Sequence, residues 1–167
     1  GSDVMESCDI GDKSASAKTR YVFLDITDQD MVNETVERIT PDAIVHCAAW
    51  TDVDGAEVKE NRAKVEDVNY RGTQYLAEAA KSVGAKLLYL STDYVFDGSG
   101  DRPWQPEDES NAPLNYYGLT KLEGEQAVCA VLEKYFIVRT AWVFGLKGSN
   151  FVKTMIEIGQ THSSVRV

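Results

Sequence analysis

Hydrophobic positions along the chain follow two patterns in turn, short continuous runs and a helical spacing. The short runs, rich in β-branched and aromatic residues, predict strands at residues 21–24, 43–49, 86–90 and 135–139. The helical spacing predicts helices from a cap at Thr27 to a stop at Pro41, and over 54–83, 115–133 and 151–160. Strands alternating with helices predict a parallel sheet with helices on both faces, a doubly wound, Rossmann-like α/β fold.

The segment before this pattern has a different composition. Residues 1–20 are polar and rich in Gly, Ser, Asp and Lys, and they show no sustained period. We expect an irregular segment there and a single Rossmann-like domain over 21–167. The run 43–49 is nearly all apolar, which is typical of a strand covered on both faces.

Composition and charge exclude several classes of function. The 167 residues are 43% hydrophobic and 26% charged, as in ordinary globular domains. With 17 basic and 27 acidic residues, the net charge of −10 argues against general binding to nucleic acid or to an anionic membrane. No apolar run approaches the roughly 18 residues of a membrane span. Cys8, Cys47 and Cys129 form no CxxC pair, so we expect no disulfide framework and a cytoplasmic protein.

The two histidines give no sign of a metal site. His46 lies inside a predicted buried strand, and His162 lies near the end of the chain. Neither has a carboxylate or cysteine at ligand spacing. We therefore expect His46 to be a hydrogen-bonded core residue, and we assign no metal ligand.

Polar, small and aromatic residues gather where the predicted strands end. In an open parallel sheet, ligands bind beyond the carboxyl ends of the strands, so these positions form the candidate site. They are Asp25, Ile26, Ala48, Ala49, Trp50, Thr51, Ser91, Thr92, Asp93, Tyr94, Thr140, Ala141 and Trp142. The alternative is that strands simply end in turns, which favour Ser, Thr and Asp.

A tyrosine and a lysine add acid–base chemistry. Tyr117 and Lys121 are four residues apart on a predicted helix and so share one face. A nearby ammonium group favours the phenolate, which allows proton exchange with a substrate oxygen. This spacing alone is common, but Thr92 at a strand end could meet Tyr117 and offer a second hydrogen bond to one carbonyl oxygen.

Several ordered motifs resemble a known family. The segments STDYVFDG at 91–98, PLNYYG at 113–118 and TKLEGE at 120–125 are similar to the extended short-chain dehydrogenase/reductase superfamily. The segments CAAWTDVDGAE at 47–57, RTAWVFG at 139–145 and NFVKTM at 150–155 narrow the resemblance to the dTDP-4-dehydrorhamnose reductases. It covers roughly residues 21–160. It implies that an NADPH or NADH cofactor reduces a 4-keto sugar nucleotide in deoxysugar and cell-surface polysaccharide biosynthesis.

The resemblance also implies roles for individual residues. Tyr117 would donate the proton to the sugar C4 oxygen as hydride arrives. Lys121 would hold the ribose hydroxyls and lower the pKa of Tyr117, and Thr92 would hydrogen-bond the carbonyl. Asn69 would support the site. The positions implied to face the cofactor are Asp25, Ile26, Ala48, Ala49, Thr51, Tyr117 and Lys121. Those implied to face the sugar nucleotide are Thr51, Val53, Thr92, Asp93, Tyr94 and Trp142.

The chain departs from the family in three respects. It contains no Gly-x-x-Gly-x-x-Gly turn, whose amides hold a dinucleotide pyrophosphate. By motif alignment we expect the first strand and the C-terminal substrate portion to lie outside residues 21–167, which form a partial NAD(P)-binding domain, either because the chain is a fragment or because residues beyond this sequence supply those parts. Because this chain lacks that turn, we expect it to bind NADPH poorly. Gly55 stands where many relatives carry Lys.

Other readings of the sequence remain open. Sugar-nucleotide dehydratases typically carry Glu after the Thr-Asp pair, whereas Tyr94 stands here, so reduction fits better than dehydration. A sugar-nucleotide epimerase and a non-catalytic regulatory subunit of methionine adenosyltransferase are the alternatives. Some members of the resembled family bind Mg²⁺, but nothing identifies its ligands here. The sequence does not distinguish NADPH from NADH, or a monomer from a homodimer.

Overall fold

The computed structural model describes residues 21–99, 101–110, 112–148, 150–162 and 164. The strands are β1 (Ala43–His46), β2 (Lys86–Thr92) and β3 (Tyr135–Thr140). The α-helices are α1 (Gln29–Ile39), α2 (Val53–Glu57), α3 (Arg62–Glu66), α4 (Gly72–Val83), α5 (Tyr116–Val131) and α6 (Phe151–Thr161). Short 3₁₀ turns cover Lys59–Asn61 and Asp93–Val95, and a π-helical turn covers Asp67–Arg71.

The three strands form a parallel sheet in the order β1-β2-β3. His46 pairs with Tyr89, and Thr92 at the end of β2 pairs with Thr140 at the end of β3. Helical segments connect β1 to β2 and β2 to β3, as parallel strands require. The predicted fold class, a Rossmann-like parallel sheet with flanking helices, is confirmed.

The core lies between one face of the sheet and helices α4 and α5. Leu87 and Tyr89 of β2 are fully buried there against Ala77, Ala80 and Val128. On the opposite face, Val45 is 64% exposed and Phe136 is 68% exposed. The prediction that the strand at 43–49 is buried on both faces is therefore wrong for the described part of the chain.

The first predicted strand and the first predicted cap both differ from the structure. Residues 21–25 have no regular secondary structure, because no described strand pairs with them. The N-cap of α1 is Asp28, which accepts the Met31 N–H at 3.0 Å, and not Thr27. The Thr27 hydroxyl instead donates to the Asp25 carboxylate at 2.8 Å. The predicted irregular segment 1–20 lies outside the described residues.

The helical region predicted at 54–83 is divided into α2, a 3₁₀ turn, α3, the π-helical turn and α4. Asp52 starts α2 by accepting the Gly55 N–H at 2.9 Å. Gly84 ends α4 with φ of 74°, a left-handed conformation that a residue with a Cβ adopts at a cost. The remaining helices and β2 and β3 agree with the prediction to within one or two residues.

The described helices are short compared with a lipid bilayer. The longest, α5, has 16 residues and carries Lys121, Glu123 and Glu125. A membrane span needs about 20 mostly apolar residues. Within the described ranges, no helix combines the length and the apolar character that crossing a membrane requires.

Candidate active site

The candidate site forms where β2 ends and α5 begins. Thr92 is the last residue of β2, and its hydroxyl accepts the Tyr94 N–H at 3.2 Å, which starts the turn Asp93–Val95. The same hydroxyl donates to the Asp93 carboxylate at 3.1 Å. Asn115 caps α5 by accepting the Gly118 N–H at 2.7 Å. The two caps place Thr92 beside the first turn of α5.

Tyr117, in that first turn, packs against the neighbouring turn Asp93–Val95. Thr92, at the start of this turn, lies close enough to influence the pKa of the Tyr117 phenol. The Tyr94 ring packs edge-on against the Tyr117 ring with the centres 6.0 Å apart. Burial is the main influence on the phenol and raises the pKa of Tyr117, while the nearby Thr92 side chain lowers it in part. The hydroxyl therefore stays protonated at neutral pH, the state that a proton donor needs.

Lys121 lies one helical turn after Tyr117 and is only 2% exposed. Its amine donates to the Leu90 carbonyl oxygen at 2.7 Å. Burial lowers the pKa of Lys121 to about 7, although the charges of Glu125 and Cys47 act to raise it. The amine therefore gains or loses its proton near neutral pH.

One predicted interaction is not found in this structure. We expected Lys121 to lower the pKa of Tyr117. The pKa of Tyr117 is instead raised, and the groups that influence it besides burial are Thr92, Asp93 and Tyr94. The physical reason is that burial destabilises the phenolate more than the neighbouring groups stabilise it. The Lys121 amine donates to the Leu90 carbonyl oxygen of β2 instead.

Asn69 connects three parts of the site, as the sequence suggested for a supporting residue. It is 1% exposed and lies in the π-helical turn. Its amide oxygen accepts the Trp50 N–H at 2.8 Å, and its amide nitrogen donates to the Thr120 hydroxyl at 3.1 Å. Asn69 therefore fixes both the loop after β1 and the helix that carries Tyr117.

The residues predicted to face a cofactor occupy different environments. Ala48 is exposed and Ala49 half-buried, directly before the Trp50 that Asn69 holds. Asp25 accepts the Thr27 N–H at 2.9 Å. Ile26 is buried in the core cluster that includes Val32, Val36, Val68 and Leu76. The small side chains leave space beside the loop after β1, whereas the sequence offers no glycine-rich turn that would hold a dinucleotide pyrophosphate.

The residues predicted to face a substrate are mostly accessible. Thr51 is exposed, and Val53, half-buried, begins α2. Asp93 and Tyr94 are exposed beside Tyr117. Trp142 is 69% exposed, has φ of 53°, and packs edge-on against Phe151 with ring centres 4.7 Å apart. The structure thus packs Tyr94 directly against Tyr117, and Trp142 packs against Phe151 of α6.

Sequence reasoning missed a buried ion pair behind the site. Glu125, one turn after Lys121, binds Arg139 of β3 through both oxygens at 3.0 and 2.8 Å. Arg139 also donates to the Ser110 hydroxyl at 3.1 Å, and its guanidinium lies over the Phe96 ring. Glu125 and Arg139 are 14 residues apart on different elements, so no local spacing in the sequence indicated the pair. Through Arg139, the pair connects Ser110 and Phe96 to α5.

His46 is a core histidine, as expected. Its Nε2 lies 2.9 Å from the Thr73 hydroxyl, and its ring stacks on Tyr89 with centres 5.3 Å apart. Burial lowers the pKa of His46 to about 3. Across the ranges that the structure describes, no three His, Cys, Asp or Glu side chains are grouped so that they could hold a metal ion.

Comparison with known proteins identifies the family. The sequence model of the family described as RmlD substrate binding domain matches residues 1–167. The chain belongs to the RmlD family. This confirms the resemblance drawn from the motifs.

Many of the relatives that this chain matches are named dTDP-4-dehydrorhamnose reductase, and one, from Streptomyces niveus, is named dTDP-4-keto-6-deoxy-D-glucose reductase. A dTDP-4-dehydrorhamnose reductase from Streptomyces griseus is 48% identical over 145 residues, which are 86% of this chain and 47% of that protein. The structure of one from Clostridium acetobutylicum has a TM-score of 0.79 and 49% identity over 83% of this chain and 48% of that one. One from Bacillus anthracis, solved in complex with NADP, has a TM-score of 0.75 and 46% identity over the same shares. This chain thus spans about half the length of the relatives it matches.

Proposed function

We propose that the protein carrying this chain reduces dTDP-4-dehydrorhamnose to dTDP-L-rhamnose with NADPH or NADH. The observation that carries the proposal is the placement of Tyr117 against Tyr94, whose N–H the Thr92 hydroxyl holds at the end of β2, with Lys121 one turn along the same helix. Relatives of that name, one of them solved with NADP, support the substrate and the cofactor.

In this mechanism Tyr117 donates its hydroxyl proton to the sugar oxygen that becomes an alcohol. Its raised pKa keeps the proton in place until negative charge develops on that oxygen. The Thr92 hydroxyl, whose single proton points to the Asp93 carboxylate in this structure, would turn to donate a second hydrogen bond to the same oxygen and stabilise the charge. The nicotinamide cofactor, when bound, supplies the hydride.

Lys121 has one role in the proposal. Its amine would hold the ribose hydroxyls of the cofactor. Because the pKa of Lys121 is about 7, contact with an additional oxygen ligand would favour the charged form. The small Ala48 and Ala49 allow the cofactor to approach the loop after β1.

The sugar nucleotide would lie against Thr51, Val53, Asp93, Tyr94 and Trp142, which are mostly accessible. Asp25 and Ile26 would border the adenine. Tyr94 stands where an eliminating carboxylate would be needed for dehydration, and this favours reduction.

We infer a cytoplasmic location for this activity. Cys47 and Cys129 are both free and exposed in the described chain. Exposed free thiols are typical of reducing compartments.

The decisive experiment is an assay of NADPH oxidation with dTDP-4-dehydrorhamnose. We expect one NADPH consumed for each sugar reduced in the full-length enzyme that carries this sequence. An epimerase would convert the sugar without net NADPH consumption, and a regulatory subunit would convert none; either result overturns the proposal. For the 167-residue chain itself, we expect weak NADPH binding in a fluorescence titration.

A further inference from the structure

A carboxylate from a different helix binds the start of α5. The N–H of Tyr116, the first residue of α5, donates to Glu57 Oε1 at 2.6 Å. The first N–H groups of a helix have no partner within the helix, so each needs one from outside. Asn115 provides the partner for Gly118, and Glu57, 59 residues away, provides the partner for Tyr116.

The helix that provides Glu57 begins at the candidate substrate side. Helix α2 runs from Val53 to Glu57. Val53 is one of the positions proposed to face the sugar nucleotide, and Tyr116 precedes the proposed proton donor Tyr117. The five residues of α2 therefore form a short rigid connection between the substrate side and the catalytic helix.

Tyr116 is held by its side chain as well as by its backbone. The Arg62 guanidinium lies 4.7 Å from the centre of the Tyr116 ring, and it pairs with the second Glu57 oxygen at 3.5 Å. The Tyr116 hydroxyl donates to Glu66 at 3.5 Å. On the opposite side of the helix start, Gly118 comes so close to the Tyr94 carbonyl oxygen that a Cβ would overlap it. The first turn of α5 is thus fixed from both sides.

We propose that Glu57 is a positioning residue for the Tyr117 hydroxyl, acting through the Tyr116 N–H, with Arg62 holding the carboxylate in place. The inference rests on the function proposed above. A catalytic acid must stay within hydrogen-bond reach of the oxygen it protonates, and a displacement of about 1 Å can cost about a hundredfold in rate. Tyr117 directly follows Tyr116, so tilting the helix start would move its hydroxyl relative to Thr92.

A purely stabilising role does not suit the exposure of these side chains. The Glu57 and Arg62 side chains are each about half exposed. Exposed ion pairs add little to the free energy of unfolding. Removing the Glu57 carboxylate should therefore change the reaction rate much more than the stability.

The test compares Glu57→Ala, Glu57→Gln and the control Glu60→Gln in the full-length enzyme. Glu60 is exposed in the adjacent 3₁₀ turn and loses the same charge. We expect Glu57→Ala to lower kcat roughly tenfold to hundredfold, with KM for the sugar nucleotide and the melting temperature nearly unchanged. Glu57→Gln keeps an oxygen acceptor for the Tyr116 N–H and should retain most of kcat.

Two further variants remove the donor instead of the acceptor. Tyr116→Pro deletes the N–H at the first helical position, where proline is well tolerated. Tyr116→Ala keeps the N–H and loses only the ring. We expect Tyr116→Pro to lose clearly more kcat than Tyr116→Ala, and this comparison decides the matter if Glu57→Ala does not fold. Equal losses overturn the proposal, as does a Glu57→Ala kcat within twofold of wild type or a Glu57→Gln loss as large as that of Glu57→Ala.

A measurement without activity separates this inference from the proposed function. In the full-length enzyme, hydrogen exchange of the Tyr116 amide should accelerate in Glu57→Ala, and the NMR signal of the Tyr117 ring should shift, with no change in Glu60→Gln. Unchanged signals in Glu57→Ala overturn the positioning role. Absence of reductase activity in the wild-type enzyme overturns the proposed function and leaves this comparison valid.

Discussion

The ammonium nitrogen of Lys121 lies 4.0 Å from the centre of the Tyr89 ring, in the buried space between α5 and β2. A cation over an aromatic face is attracted by the electron-rich ring. Together with the Leu90 carbonyl, this ring takes the place of the water that the amine loses on folding. The replacement is incomplete, because the pKa of Lys121 still falls to about 7.

The lowered pKa of Lys121 predicts a pH-dependent stability. The amine titrates near pH 7 in the folded chain and near 10.5 when unfolded. Between these values the unfolded chain binds more protons, so wild-type stability rises with pH. Lys121→Met lacks this titration, so its free energy of unfolding should not share the rise. In urea titrations, we expect the free energy of unfolding of the variant minus that of wild type to decrease as the pH is raised from about 7 to 10.5. A difference independent of pH, like that of the exposed control Lys59→Met, would refute this.

The lowered pKa of His46 predicts that the folded chain loses stability in acid. Its pKa is about 3 in the folded chain against 6.5 in the unfolded one. Between these values the unfolded chain again binds more protons, so stability is lost as pH falls from 6.5 towards 3. We expect thermal melts of His46→Gln to show a shallower acid dependence. His162→Gln, at an exposed position, should follow the wild-type curve, and parallel curves for both variants would contradict the prediction.

The close contact at Gly118 predicts that a methyl group added at the start of α5 lowers both stability and turnover. A Cβ at Gly118 would overlap the Tyr94 carbonyl oxygen, a backbone atom that cannot rotate away. Gly118→Ala should therefore separate α5 from the Asp93–Val95 turn, lowering both the melting temperature and kcat. The matched control is Gly159→Ala in α6, where a Cβ meets no atom within 4 Å. Alanine should stabilise that helix by about 0.5–1 kcal/mol, so equal effects of the two changes would be inconsistent with this contact.

Asn69 predicts a large loss of stability from a small truncation. Asn69→Ala leaves the part-buried Trp50 N–H without its acceptor and removes the amide that donates to the buried Thr120 hydroxyl. Unmet hydrogen bonds of this kind cost about 1–3 kcal/mol each, which chemical denaturation should detect. Asn33→Ala in α1 is the control, since the structure gives the Asn33 side chain no hydrogen bond among the described residues. A change below about 0.5 kcal/mol at Asn69 would argue against this role.

Tyr117 predicts the strongest effect on turnover. Tyr117→Phe removes only the hydroxyl, and a positioned acid contributes about 10²–10⁴-fold to the rate. We expect a loss of this size in kcat of the full-length enzyme, with cofactor affinity largely kept. Tyr75→Phe, in the α4 core, should leave kcat unchanged. Near-normal turnover of Tyr117→Phe would remove the basis of the mechanism.

Local patterns in the sequence predicted most of the elements that form the site. The apolar run at 86–90 and the turn residues after it placed Thr92 at a strand end. Tyr117 and Lys121 are four residues apart, so predicting the helix was enough to place both on one face. These features depend on neighbours along the chain, and the structure agrees with them.

Features that depend on distant partners were not predictable in this way. Residues 21–24 have the composition of a strand, but a strand also needs a neighbour to pair with. The direction of the Tyr117 pKa shift depends on burial created by the whole fold. The contact from Glu57 to Tyr116 joins residues 59 apart, and neither residue carries a local signal of the other.

The π-helical turn Asp67–Arg71 has a consequence for chain length. A π turn holds one residue more than the α-helix around it, and each helical residue rotates the side-chain direction by about 100°. Deleting one residue there would restore a plain helix and turn Leu76 and Ala80 of α4 off the core, or Asn69 off Trp50. The extra residue of the π turn sets the rotation of α4 relative to Asn69, so that Asn69 faces Trp50 while Leu76 and Ala80 face the core. A change of length by a single residue at this point would damage the protein more than most substitutions anywhere else in the helix.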